Sequence, residues 1–271
     1  YCLGSTINLT STGADIESRY WEGPNGYYSI LQNPPLTTNA TTGLSGDYVV
    51  TGNVTVGGNL IYNGDFEQGN VGFGSAYGYP ATPFNTNSLV PEGLYAITTT
   101  GSVVHYNFNS VADHSTTGSS QMIINGNTVA GAVVWTQNVS VLPNTDYQFT
   151  YWLQTVVNGT DPAPSKLQLY VNGVAAGPVY TANPASGNWT QYVYNTNSAS
   201  ASSINLELIN QTIIAGGNDF SLDDIELRQI LAAKDTATVV VGSNLPVSVA
   251  LAVSQNPVNS GVPVTFTATP T

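Results

Sequence analysis

The chain has 271 residues, of which 41% are hydrophobic and only 7% charged. Four Lys and Arg stand against sixteen Asp and Glu, a formal net charge of −12. Four cations cannot build a phosphate-binding patch, so nucleic acid is excluded as a partner, as is docking on an anionic membrane. No apolar run reaches the roughly 18 residues of a membrane-spanning helix, so no membrane insertion is expected. Polarity comes from Asn, Thr, Ser and Gly, where an average globular chain is about 25% charged. That is a surface of neutral hydrogen-bonding groups. The excess acid has two readings: bound Ca²⁺ in a β-protein, or plain solubility. The single cysteine, Cys2, leaves no intrachain disulfide and no CxxC, which removes redox chemistry and zinc. No signal peptide stands at Tyr1. The chain starts inside a strand pattern and is expected to be a piece of something longer.

Residues 1–57 read as a small sandwich. Ile7 and Leu9 alternate with Thr6, Asn8 and Thr10, as in a half-buried strand. Arg19–Trp21 forms a second strand, ending at the turn Gly23–Pro24–Asn25–Gly26. Gln32–Asn33–Pro34–Pro35 forces an extended connection. Ser45–Val50 enters a strand with Tyr48 placed as in a tyrosine corner.

Gly57–Gly58 opens the central domain, residues 58–231. Its expected strands are Leu60–Phe66, Gly93–Thr98, Gln121–Asn125, Val133–Val141, Tyr147–Thr155, Lys166–Asn172, Thr190–Asn195, Ile204–Ile209 and Phe220–Arg228. Asn125–Gly126, Pro143–Asn144, Asn172–Gly173 and Ser186–Gly187 supply turns between them. Helical periodicity never lasts beyond a turn or so. This many strands in one domain suits a double-sheet jelly roll. In residues 232–271, Ala232–Ala237 reads as a linker, and Val239–Val241 and Val247–Ala252 as strands. Asn256–Gly261 with Val264–Ala268 opens a further repeat that the sequence does not close. The fold class expected is therefore all-β: a central jelly-roll sandwich flanked by sandwich domains that are incomplete at both termini.

Three groups of residues carry resemblances. Cys2–Leu9, Tyr20–Gly26 and Ser45–Tyr48 resemble the immunoglobulin-like and PKD-like repeats of very large secreted adhesins of gliding, type IX-secreting Bacteroidetes, and Asn256–Ala268 resembles the opening of another PKD-like repeat. In such arrays Cys2 is expected to pair outside its own domain, the alternative being a buried free thiol. Asn63–Glu67, Pro91–Ile97, Tyr147–Trp152, Leu167–Gly173, Asn188–Thr190 and Leu222–Ile225 together resemble the galactose-binding-like jelly roll of carbohydrate-binding modules. Related jelly rolls carry a structural calcium that ties the first strand to the last. The resemblance implies side-chain ligands Glu67, Glu92 and Asp223, with backbone carbonyls from Asp65 and Tyr95. Asp235–Ala237 resembles a short acidic O-glycosylation signal of Bacteroidetes, and Asn8, Asn39, Asn53, Asn138, Asn158, Asn188 and Asn210 head Asn-x-Ser/Thr triplets.

The residues themselves support a cation at Asp223. It shares phase with Ile225 and Leu227, which must face the core. An inward carboxylate costs several kcal/mol unless paired, and Lys166 and Arg228 are the only cations in the domain. A hard cation with oxygen ligands resolves this; the alternative is that Asp223 caps a bulge through backbone N–H groups. Asp113–Gly118 is expected to be a turn held by the Asp113 side chain rather than a metal or acid/base site. His105 reads as packing and Trp135 as core.

For a ligand face, Tyr147, Phe149, Tyr151 and Leu153 point inward, which leaves Trp152 and Gln154 outward. By the same alternation Gln168 and Tyr170 point outward. An aromatic ring with amides is how a sugar is commonly held, so these four are the candidate ligand-binding residues, with a rim from Phe73, Tyr77, Tyr79 and Phe84. The alternative is that Trp152 lies as core under a covering loop. No nucleophile elbow or Ser–His–Asp order occurs, and the acids are assigned to calcium, so no enzyme is expected. The function expected is a calcium-stabilised, non-catalytic segment of an extracellular cell-surface adhesin that binds glycans or surface polymers. Rival readings are a module of a secreted polysaccharide-degrading enzyme, and a filament subunit whose terminal sandwiches are completed by neighbouring protomers or adjacent domains.

Overall fold

A computed structural model describes residues 1–12, 16–81, 85–115, 118–242, 249–253 and 266–270. Phe84 of the expected rim, Thr116–Thr117, Val247–Ser248, Asn256–Gly261 and Val264–Thr265 lie outside the described residues. The protein is all-β. Its strands are β1 (Ile7–Asn8), β2 (Ile16–Gly23), β3 (Tyr27–Ser29), β4 (Pro35–Thr37), β5 (Gly46–Val56), β6 (Leu94–Thr98), β7 (Gln121–Asn125) and β8 (Val133–Ser140), then β9 (Asp146–Thr155), β10 (Lys166–Val171), β11 (Val174–Thr181), β12 (Thr190–Asn197), β13 (Ser203–Asn210), β14 (Phe220–Val239), β15 (Val249–Val253) and β16 (Phe266–Pro270). Among the described residues no helix is long and apolar enough to cross a membrane. The chain divides into two compact units, residues 54–231 and residues 1–53 with 232–271.

The larger unit is an antiparallel sandwich. One sheet has the order β11-β10-β13-β8; in the other, β9 lies between β12 and β14, β7 pairs with β14, and β6 with β7. Period-2 alternation puts one residue set of each strand between the sheets. Trp135 and Val139 of β8 and Leu167 and Leu169 of β10 meet Phe149, Tyr151 and Leu153 of β9 and Leu222 and Leu227 of β14 in one buried cluster. Trp135 is core, as its phase requires. A second cluster lies on the outer face of the β6-β7-β14-β9 sheet, where Val104, Phe108 and Val111 cover Ala96, Ile123 and Val156.

Three expectations fail here for local reasons. Leu60–Phe66 is not a strand. Asn63 and Phe66 take φ of 56° and 57°, which breaks an extended run. The segment still lies along β14: Leu60 N–H donates to Leu227 O, Ile225 N–H to Gly64 O, and the Asn59 side chain bonds Ile225 O and Leu227 N. β11 was not expected because Ala175, Ala176, Gly177 and Pro178 carry no strand signal; it is an edge strand, where Pro is tolerated. The supposed linker 232–237 is strand, inside β14.

In the other unit, β5, β2 and β3 are consecutive neighbours with β14 beside β5, and β1 pairs with β4. Ile7, Leu9, Trp21, Tyr48, Val239 and Val241 form its core. The Tyr48 hydroxyl donates to Leu44 O at 3.0 Å, closing the tyrosine corner. Cys2 is free and exposed.

Candidate functional site

Direct cross-strand partners share a sheet face. The register of β14, β9 and β12 therefore sets out an outer face in three rows: Asp223, Trp152 and Gln191; Glu226, Thr150 and Val193; Arg228, Gln148 and Asn195. Strand geometry makes this face about 10 Å across and about 14 Å along the strands. Asp223 is thus on the outer side, opposite to its expected phase. The cause is a bulge between Asp223 and Glu226, with Asp224 at φ 43°, which resets the alternation before Leu227 turns inward.

At the first row, the segment 112–115 lies over the face. Ala112 O accepts from Trp189 Nε1 at 3.1 Å and from Gln154 Nε2 at 3.2 Å. His114 stacks on Trp152 at 3.8 Å between centroids and 20° between planes, and Trp189 meets His114 edge-on at 5.6 Å. Asp224 anchors that ring: its carboxylate lies 2.7 Å from His114 Nδ1 and accepts from Ser115 Oγ at 3.1 Å. Both tryptophans remain half-buried. Beyond the aromatic wall the β12 residues Gln191, Val193 and Asn195 are exposed and Gln148, Glu226 and Arg228 half-buried, while Thr150 between them is buried. Arg228 Nε and Nη2 each donate to Glu226 at 2.9 Å, and Nη1 donates to Gly57 O at 3.2 Å.

Asp223 is fully buried under segment 112–115. Its Oδ1 accepts from Asp224 N–H at 2.8 Å and its Oδ2 from His114 N–H at 3.0 Å, which is the bulge-capping role. Its carboxyl also faces Asp113. Burial and that neighbouring carboxyl push Asp223 up to about 10. Both Asp113 oxygens are buried without a donor among the backbone and other side chains, so the Asp223 carboxyl that they face is left to supply one. Asp113 therefore does not hold its own turn, as the sequence led one to expect. Two facing buried carboxyls require either a shared proton or a cation.

The five residues expected around calcium do not converge. Glu67 Oε1 accepts from Ser119 and Ser120 N–H at 2.8 and 2.7 Å, Asp65 is exposed, and the Tyr95 hydroxyl donates to Asn70. Glu92 is an electrostatic neighbour of Asp219 and Tyr77. Among the described residues no group of three or more His, Cys, Asp or Glu is placed to hold a metal ion. That five-residue set does not fit a single ion.

The four candidate ligand residues divide. Trp152 is in the site. Gln154 is fully buried, with Nε2 also donating to Gln121 at 3.1 Å. Gln168 and Tyr170 belong to β10, in the other sheet. Alternation shows which residues leave the core but not on which side of the sandwich they emerge. His114, Trp189, Gln191 and Asn195 were missed as site residues. The signal for Trp189 was its place just before β12; for His114 there was none, because a covering segment has no period. His105 packs as expected, its ring 4.1 Å from that of Phe108, and burial lowers its pKa.

Fold and face together define an all-β sandwich with an aromatic wall at one end of an open, amide-bearing sheet. No protein-family model matches the sequence, and no curated protein is similar to it. Solved structures with a similar course of chain include the C-terminal domain of EclA, a sugar-binding protein, at 17% identity and TM-score 0.32, over 35% of this chain and 66% of that one. A CBM22-1 xylan-binding domain from Paenibacillus barcinonensis Xyn10C is similar at 16% identity and TM-score 0.36, over 59% and 94%. A family 16 carbohydrate-binding module is similar at 18% and 0.36, over 62% and 99%. Likeness of this size does not establish a shared function.

Proposed function

We propose that residues 54–231 form a non-catalytic glycan-binding module, and that the chain serves as a segment of a large extracellular cell-surface adhesin. The observation that carries the reading is the half-buried Trp152, locked by His114 and flanked by Trp189 at the head of a face bearing Gln191, Gln148 and Asn195. A pyranose ring presents an apolar face and a hydroxyl rim. A fixed indole takes the first and amides take the second. The wall is held before any ligand arrives, which lowers the ordering cost of binding.

Two further observations support this reading. Glycoside hydrolysis needs two carboxyls on opposite sides of a scissile bond. Here Asp113, within segment 112–115, faces Asp223 beneath it, and Glu226 is tied to Arg228. A surface of neutral amides and hydroxyls with 7% charged residues supports placement outside the cell. The proposal includes calcium as a structural ion at Asp223, with Asp113 in place of Glu92 and with backbone carbonyls or water completing the oxygen set.

The test is affinity electrophoresis of the full chain through gels containing a panel of polysaccharides. Retardation by at least one, lost in Trp152→Ala and Trp189→Ala but kept in Tyr170→Ala on the opposite sheet, is the expected result. Equal loss in Tyr170→Ala, or no retardation by any polysaccharide, refutes the proposal.

A further inference from the structure

The charge around the site narrows the class of glycan. Only two cationic side chains fall within residues 54–231, Lys166 and Arg228. Lys166 lies on β10, in the sheet that does not carry the site. Arg228 is on the face, but its guanidinium is already directed: Nε and Nη2 to Glu226, Nη1 to Gly57 O. A uronate or sulfate ester bound there would have to displace a bidentate carboxylate from its partner.

The rest of the charge on and beneath the face is acidic. Asp224 lies at the aromatic wall and Glu226 in the middle row, within a chain of net charge −12. An anionic glycan would meet the Asp224 and Glu226 carboxylates at close range, and the one cationic side chain on the face is already committed to Glu226. The groups left to contact a ligand are neutral: two indoles, Gln191, Gln148, Asn195 and the apolar Val193.

Resting on the glycan-binding reading above, we propose that this face selects uncharged glycans and rejects those bearing carboxylate or sulfate groups. Selection comes from Glu226 holding the only cation of the face, so that the site is closed to anions by an internal ion pair rather than by shape.

The experiment uses the full chain in affinity gels containing soluble β-glucan, galactomannan or starch, each beside its own carboxymethylated derivative. The polysaccharide that retards the protein should lose at least about tenfold in affinity on carboxymethylation at low ionic strength, with the gap shrinking at high salt as the charges are screened. Glu226→Gln, a substitution at a half-buried side chain that removes the carboxylate bound by Nε and Nη2, should narrow the gap several-fold by raising affinity for the carboxymethylated form. A derivative that retards as well as its parent, or a gap unchanged in Glu226→Gln, overturns this proposal and leaves the glycan reading standing. Retardation by none of the polysaccharides, charged or uncharged, overturns both.

Discussion

Asp219 offers a stability test that is independent of any ligand. It is 9% exposed, its Oδ1 accepts from Gly126 N–H at 3.2 Å, and Glu92 and Asp161 lie near it. Burial raises its pKa most; the two neighbouring carboxylates add to the rise and the Gly126 N–H opposes it, leaving Asp219 at about 8. A folded-state value above the unfolded one means that the folded chain binds more protons. The contribution is therefore most favourable below about pH 4 and is lost as pH rises toward 8. At pH 7, about three pH units above the free carboxyl's 3.8 and still below the folded value of about 8, this amounts to about 4 kcal/mol of lost stability at most. Asp219→Asn keeps an acceptor for Gly126 N–H and removes the titration. The variant should match the wild type near pH 4 and exceed it by up to about 4 kcal/mol at pH 7, roughly 10 °C in melting temperature for a unit of this size. Thermal melts followed by circular dichroism at pH 4, 5.5, 7 and 8.5 measure it. Other carboxylates cancel in the difference between the two proteins. Parallel curves across that range, or a variant that is less stable throughout, refute the assignment.

Three more outcomes follow from the geometry. EDTA should lower the wild-type melting temperature by several degrees and leave Asp223→Asn unmoved, since the facing carboxyls of Asp113 and Asp223 are what an ion would neutralise; a wild-type melt unaffected by EDTA removes calcium from the account. Gly64→Ala should destabilise by about 1–3 kcal/mol in urea titration, because a Cβ there would run into the Ile225 carbonyl oxygen; a neutral effect would mean that segment 59–66 does not lie against β14 as described. Tyr48→Phe should cost about 1 kcal/mol through loss of the bond to Leu44 O, and a change below the error of the titration would count against the tyrosine corner.

Much of the fold was legible in the residues, and the failures have causes. β7 was expected at its observed bounds because a short apolar run ends at the turn Asn125–Gly126, and β9 within one residue because Tyr147, Phe149, Tyr151 and Leu153 alternate after the turn Pro143–Asn144. β11 was invisible because an edge strand with Gly177 and Pro178 needs no buried period. The site was legible only at Trp152. The sequence placed Asp223 on the core side, since alternation was carried unbroken through Asp224, and one bulge reverses every assignment before it. Trp152 and Tyr170 read as one face because each points away from its core, yet they stand on opposite sheets. The wall itself depends on segment 112–115 folding back over β9, a long-range contact that no local pattern encodes.

The central claim is that Trp152 and its neighbours hold a glycan. Titrating the polysaccharide that retards the wild type against Trp152→Ala, by isothermal calorimetry on protein with an unchanged circular dichroism melt, tests it most directly. Loss of one well-placed aromatic contact predicts a fall in affinity of at least tenfold, about 1.4 kcal/mol. Undiminished affinity in a folded Trp152→Ala protein would contradict the account.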